Sequence, residues 1–521
     1  MKPKSLTDQA EVIQLELFIN RFRAIAQEMG EMLRRTAVST NVKERLDFSC
    51  AILDADGELV VNAPHIPVHL GAMGLCVRKL RQELKIAPGD VAVTNHPAFG
   101  GSHLPDITVV TPVFTTQNQL LGYVANRAHH AEIGGIRPGS MPPRARSLSE
   151  EGVVIPPVHL VKNGRADWAL MRSILKGGPY PTRALEDNLA DLRAAVAANH
   201  RGSQALGELA ESFGADVVSH FMLQLKKLAE NKIKRALSNL QGGLYQAKGK
   251  LDDGSSVCVQ FKITGASAEV DFTGSANVHP GNLNATPAIV RSAVIYVLRL
   301  LINEPLPLNE GLMQPIKLII PTGMLNPEFP EEADKAPAVV GGNVETSQCL
   351  VNTMLKALKF LAGSQGTMNN LLFGTDEFGY YETVCGGCGA GPNFHGASAV
   401  HSHMTNTRIT DVEVVEHRYP VRVERFAIRK DSGGSGNFRG GDGVIREFTF
   451  LKQMELSILS QNRSQAPFAL AGGEAGSPGR QRLIRASGEI IELQAMDGCT
   501  VYPGDRLILE TPGGGGFGKK E

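Results

Sequence analysis

The segment NHPAFGGSHLPD, residues 95–106, places His96, two adjacent glycines, His103 and Asp106 within a dozen positions. A second segment, NRAHHAEIGG, begins at Asn126 and carries His129, His130 and Glu132, again beside a Gly-Gly pair. In HLPD, Pro105 pushes Leu104 away from helical angles, so His103 and Asp106, three apart, can point to one place in a turn. The preceding glycines allow the backbone a close approach to whatever sits there. A converging imidazole and carboxylate make a mixed nitrogen–oxygen site, suited to Zn²⁺, Mn²⁺ or Fe²⁺ more than to Ca²⁺ or Mg²⁺.

His129 and His130 follow a strand-like run, and alternation sends their side chains to opposite faces. One of them can join His103 and Asp106. The other, with Glu132, is available for outer hydrogen bonds or general acid–base work. Asp47, in KERLDFSC, lies between Leu46 and Phe48, and a carboxylate so flanked needs a partner if it is buried. PHIPVHL sets His65 and His69 four apart with Pro67 between them. We read these two as structural residues on one face of an extended segment. Spacing alone takes the argument to a candidate mixed-ligand metal site in the N-terminal part.

The elements that must position these groups are legible from periodicity. QLELFINRFRAIAQEMGEMLRR has apolar residues every three or four positions, from Leu15 to Leu33, as an amphipathic helix requires. DFSCAILDADGELVVNA reads as two short strands about an Asp-Ala-Asp-Gly turn. DVAVTN, ITVVTPVF and LLGYVAN read as further strands, and helical periodicity returns from about residue 190 to 240. SVCVQFKITGASAEVDFTG alternates like antiparallel strands, and TPAIVRSAVIYVLRLLI reads as a buried helix. Later β-like runs such as YPVRVERFAI, GVIREFTF and MELSILS are separated by glycine-rich turns. We therefore expect an α+β protein: an N-terminal α/β metal-binding part over 1–240, a middle α+β segment over 241–375, and a β-rich part over 376–521.

The chain has 521 residues, with 53 Lys+Arg against 53 Asp+Glu. A balanced charge gives no support to a nucleic-acid or anionic-membrane partner. No leader-like or membrane-spanning apolar run is present, so we expect a cytoplasmic protein. Seven scattered cysteines make no disulfide framework. Cys385 and Cys388 in CGGC lack a second CxxC and read as two small buried thiols. Glycine, at 56 residues, recurs in clusters including VVGGN, DSGGSGNFRGGDG and TPGGGGFG. Gly341–Asn343 and Gly433–Gly436 are candidates to hold a substrate through backbone N–H groups, and we favour the reading of both as structural turns. There is no GxxxxGK[ST] motif, so ATP chemistry is expected elsewhere.

Several long segments resemble the hydantoinase B/5-oxoprolinase family: RLDFSCAILDADGELVVNAPHIPVHLGAM, NHPAFGGSHLPDITVVTPVF, NRAHHAEIGGIRPGSMPP, VVGGNVETSQ, RYPVRVERFAIRKDSGGSGNFRGGDGVIREF and VYPGDRLILETPGGGGFG. The likeness covers nearly the whole chain, in order, and points to the C-terminal half of 5-oxoprolinase or its split equivalent. It implies a B-like subunit that holds a divalent metal, Zn or Mn, through Asp47, His103, Asp106 and His129. The resemblance selects the first histidine of the pair. It also implies a hydantoinase A-like ATPase partner in a cytoplasmic hetero-oligomer, in which this chain could also pair with itself. That partner would use ATP to phosphorylate the carbonyl of a small cyclic amide such as 5-oxoproline. Metal-bound water would then attack the carbon, with His130 or Glu132 moving the proton. The alternatives are a subunit of an ATP-dependent ketone carboxylase and a structural subunit whose metal holds the fold. Two departures stand out: His96 occupies a position where relatives differ, and CGGC replaces a Gly-Gly-Ser-Gly-like run.

Overall fold

The structure, a computed structural model, describes residues 6–63 and 66–520, with side chains from Glu11 onward. Its first layer is a seven-stranded, wholly antiparallel sheet. The strands are β1 (Phe48–Asp54), β2 (Leu59–Asn62), β3 (Val91–Thr94), β4 (Asp106–Phe114), β5 (Leu120–His129), β6 (Val158–Lys162) and β7 (Arg165–Ala166), in the order β2-β1-β5-β4-β3-β6-β7. The expected hairpin is present as β1 and β2.

Period-two alternation sorts this sheet into two cores. On β1, Cys50 and Ile52 join a core with the helices Leu6–Thr36 and Leu185–Phe213, whereas Ala51 and Leu53 join another against the helix Ala72–Glu83. On β5, Val124 and Ala128 take the first side, and Tyr123 and Ala125 the second. The sheet is thus covered on both faces, which accounts for the near-continuous apolar runs in its strands. The N-terminal helix buries the stripe read from its sequence, including Phe18, Phe22, Met29 and Leu33.

A four-stranded sheet follows, built from Gly243–Lys250, Ser256–Thr264, Ser267–Asp271 and Ile316–Ile319. It packs with the helices Pro287–Leu300 and Ser347–Ala357 in a core that also takes Ile66, Met141, Leu372, Tyr381 and Leu459. Residues from all three sequence segments meet there. The C-terminal strands form a four-stranded and a five-stranded sheet, which share a core containing Phe373, Tyr380, Phe448, Leu456, Leu483 and Leu507. The architecture is α+β.

One local expectation fails. Pro67–His69 forms a single 3-10 turn, not an extended segment. Proline suits the first position of a helical turn, where its missing N–H has no partner to lose. His65 lies outside the described residues.

The CGGC turn packs its backbone against the C-terminal glycine run. A Cβ on Gly514 would stand 1.8 Å from the carbonyl oxygen of Cys388, so only glycine permits this approach. Cys385 and Cys388 are free and half-buried, and burial pushes both thiols up to about 11.

Candidate metal centre

Three neighbouring strand ends deliver three of the expected groups side by side. Asp106 is the first residue of β4 and His129 the last of β5, and the two are directly paired across the ladder. On the other side of β5, Phe48 pairs with Ala128, so Asp47 falls beside His129 and its carbonyl accepts the His129 N–H at 3.0 Å. Alternation then puts the side chains of Asp47, Asp106 and His129 on one face, the one away from the two long helices. The turn before β4 brings His103 back over Asp106, whose N–H donates to the His103 carbonyl at 3.1 Å. Within that turn, a Cβ on Gly101 would lie 2.4 Å from the carbonyl oxygen of Asn95.

His103, Asp106 and His129 are buried, and one potential ligand atom from each lies within 4.8 Å of the others. His103 Nε2 is 3.1 Å and His129 Nδ1 3.3 Å from the same oxygen, Asp106 Oδ1. These spacings match the edge of a tetrahedron with metal–ligand bonds of about 2.0–2.1 Å, which is about 3.3 Å long. The other Asp106 oxygen is held by His69 Nε2 at 3.1 Å and by the Ser102 hydroxyl at 2.5 Å. His69 Nδ1 meets the Ser49 hydroxyl at 2.9 Å. One carboxylate is therefore oriented on one oxygen and presented to two imidazoles on the other, the arrangement that outer partners create around a ligand. Burial opposes ionisation of Asp106, but the charges and hydrogen bonds of its histidines outweigh it and hold the carboxyl well below its usual range. For His129, burial favours the neutral form in which an imidazole nitrogen can bind a metal, and lowers its pKa despite nearby Asp106 and Asp47. The donor set and its spacing fit a small divalent ion.

Asp47, His69, Asp106 and His129 line a cavity of about 10 Å³, the size of a single water or ion. Tyr381 stacks on His129 at 4.7 Å between ring centres, while Arg45 lies over Tyr381 at 4.3 Å. The same guanidinium stands 3.5 Å from Asp47, which supplies the partner that a carboxylate between Leu46 and Phe48 requires. Leu46 adopts a left-handed φ of 55°, a strained backbone for a bulky residue that the surrounding packing must hold. Asn343, from the π-turn Gly342–Thr346, places its side-chain amide 3.1 Å from His103 Nε2.

The two residues expected to move protons are not brought to this cavity. His130, one step past His129, turns to the opposite face, where its Nδ1 meets Asn188 Oδ1 at 2.8 Å. The Glu132 carboxylate accepts the N–H groups of Gly134 at 2.6 Å and Gly139 at 2.9 Å and pairs with Arg183 at 3.2 Å. It ties down the GGIRPG loop. His96 caps its own turn by accepting the Ala98 N–H. Two groups at the centre, His69 and Asn343, read as structural residues in the sequence. Pro67 opens a 3-10 turn that aims His69 inward, and no local pattern marks Asn343, 240 residues from His103.

The chain matches the family model described as hydantoinase B/oxoprolinase over residues 11–520. It is 45% identical to a 5-oxoprolinase of Dictyostelium discoideum over 100% of its own length and 41% of that protein. It thus spans less than half of that relative. A protein of Methanocaldococcus jannaschii is 35% identical over 97% of this chain and 90% of its own. Among solved structures, the ATP-dependent caprolactamase from Pseudomonas jessenii is similar with a TM-score of 0.88 and 27% identity, over 97% of this chain and 91% of that one. Agreement in sequence, length and fold leaves one conclusion: this chain belongs to the hydantoinase B/oxoprolinase family.

Proposed function

We propose that this chain is the metal-dependent half of an ATP-dependent cyclic-amide hydrolase of the 5-oxoprolinase type. The observation that carries the reading is the convergence of His103, Asp106 and His129 on one buried point, in a chain 45% identical to part of a 5-oxoprolinase. A hydantoinase A-like ATPase, fused or separate, supplies the phosphorylation step. That step places phosphate on the amide oxygen, which removes the resonance that makes a cyclic amide slow to hydrolyse. Water then adds to the same carbon, the C–N bond opens and phosphate leaves; 5-oxoproline would give glutamate.

His103, Asp106 and His129 would hold a divalent ion, with Asp47 as a further ligand from the cavity wall. When bound, the ion supplies Lewis acidity and lowers the pKa of water enough for attack near neutral pH. His69 and Ser102 keep Asp106 oriented. Arg45 offsets the second carboxylate, and the apolar walls from Ile66, Val68 and Met404 exclude bulk water. If the three clustered residues alone held the ion, a fourth position would be left for water, as catalysis needs; ligation by Asp47 as well would favour a structural site.

The test is reconstitution with a hydantoinase A-like ATPase, ATP and 5-oxoproline. The expected result is coupled formation of glutamate and phosphate, lost in His103→Ala. Turnover that survives His103→Ala, or acetone carboxylation in place of hydrolysis, would sink this reading.

A further inference from the structure

Some distance from the metal cavity lies a much larger opening, a cleft of about 440 Å³. Its walls are the strand Gly243–Lys250, the helix Ser347–Ala357 and the loop 461–468. Its ionisable lining residues are Lys356 on the helix and Lys248 and Lys250 on the edge strand, where Gly249 between them faces the helix, and among the described residues no Asp or Glu lines it. Among the described residues none of the three lysines is in an ion pair. Lys356 lies over the Phe468 ring at 5.1 Å. Asp252, next to Leu251 on the wall, is engaged by the N–H groups of Arg463, Ser464 and Gln465.

Two carboxamides reinforce the cationic lining. A Cβ on Gly366 would fall 2.4 Å from Asn462 Nδ2 and 2.7 Å from Asn352 Nδ2, so both amides converge beside this glycine. Asn352 gives one N–H to Ser364 O and Asn462 gives one to Gln365 O. Each carboxamide nitrogen carries two N–H bonds, which leaves one on each for a ligand. Lys356 stands one helical turn beyond Asn352 and shares its face. One ammonium group over an aromatic ring, two spare amide donors and two further lysines on the adjoining edge strand favour a compact anion.

This cleft and the metal cavity are two sides of one partition. Gly366 lines the cleft and Met368 the metal cavity. Between them, Thr367 accepts the N–H of Gln461 on the cleft side, and Glu345 accepts the N–H of Met368 at 3.1 Å. The helix that carries Asn352 and Lys356 continues directly from the π-turn that carries Asn343, the neighbour of His103.

We propose that the cleft binds a small organic anion bearing a carboxylate or phosphate group, and that it receives the substrate for the metal cavity behind it. The second part rests on the cyclic-amide reading above, since both 5-oxoproline and a phosphorylated intermediate are anions of this size. The first part stands on the lining alone.

Calorimetric titration of the full chain with 5-oxoproline, inorganic phosphate and neutral caprolactam tests it. Wild type is expected to bind at least one of the two anions, more weakly as salt rises, and not caprolactam. Binding of 5-oxoproline alone identifies a carboxylate site, and of phosphate alone a phosphoryl site. The variant Lys248→Ala/Lys250→Ala/Lys356→Ala, which removes only exposed side chains, should bind roughly tenfold or more weakly. Asn462→Asp, which exchanges a donor for a negative charge, should weaken the anion in the same direction. Absence of anion binding in wild type, equal binding in the triple variant, or equal binding of caprolactam would overturn the proposal. Metal content and ATP-dependent turnover with the partner are read separately. Turnover with an unchanged KM in the triple variant discards the cleft alone. Anion binding without turnover discards the cyclic-amide reading alone.

Discussion

Asp106 and His129 are direct partners across an antiparallel ladder, one opening its strand and the other closing its own. The pairing fixes a carboxylate and an imidazole on the same face at 3.3 Å, without help from any loop. A rigid sheet is a better support for such geometry than a flexible segment. Only His103 depends on a turn, and that turn is bound to the strand it precedes.

Removal of either central ligand should empty the site. We expect about one divalent ion per chain in the wild type and close to none in His103→Ala or Asp106→Ala, read by elemental analysis after dialysis. Zinc and manganese should both be measured, since the donor set admits either. Equal metal in wild type and both variants would place the ion elsewhere.

His69 touches no ion in this scheme and yet should govern affinity. It bonds the outer oxygen of Asp106 while its own Nδ1 is fixed by Ser49. Loss of such an outer partner typically weakens metal binding by about 10–100-fold. In His69→Ala the dissociation constant should rise by that factor while the chain still folds, as seen by circular dichroism and competition with a chelator. An unchanged constant would reduce His69 to a packing residue.

Much of this arrangement was legible in the sequence, and the parts that were not have a common cause. Strands such as DVAVTN and ITVVTPVF announce themselves because their residues are β-branched and bounded by turn formers. Opposite faces for His129 and His130 follow from alternation, and the structure has that arrangement. Register cannot be read this way: nothing local in HLPD or NRAHH says that Asp106 and His129 will be paired. Nor does composition reveal that Glu132, two residues before a Gly-Gly pair, will accept hydrogen bonds from loop amides. Asn343 and Tyr381 arrive from a different core altogether, so only long-range packing places them.

Glu345 should make stability depend on pH. It is fully buried, and burial pushes its carboxyl up to about 8 from an ordinary 4.5, against hydrogen bonds from Thr367, Met368 and Asn370. A carboxyl raised in the fold leaves stability intact below pH 4.5 and takes it away as pH rises through 8, because the unfolded chain ionises first. Glu345→Gln keeps the volume and cannot ionise. Its melting temperature relative to wild type should therefore be several degrees higher at pH 9 than at pH 5. A difference that does not change with pH would mean that Glu345 is ionised in the fold.

Gly101→Ala should damage the centre without touching a ligand. The new Cβ would meet the carbonyl oxygen of Asn95 at 2.4 Å and the backbone of His96 at 2.8 Å. Both obstacles are main chain, and neither can rotate aside. Asn95 is itself fixed: its side chain donates to the carbonyls of Leu104 at 2.8 Å and Val153 at 2.9 Å and accepts the N–H of Ile155 at 2.7 Å. The clash must therefore be relieved by moving the turn that carries Ser102 and His103. Overpacking of this kind costs about 1–3 kcal/mol, and the displaced histidine should lose metal as well. We expect a lower melting temperature together with weaker metal binding, and added metal should recover part of the lost stability because it binds only the folded form. A variant with wild-type melting and metal content would show that the turn can shift freely, and that His103 is not held where the ladder leaves it.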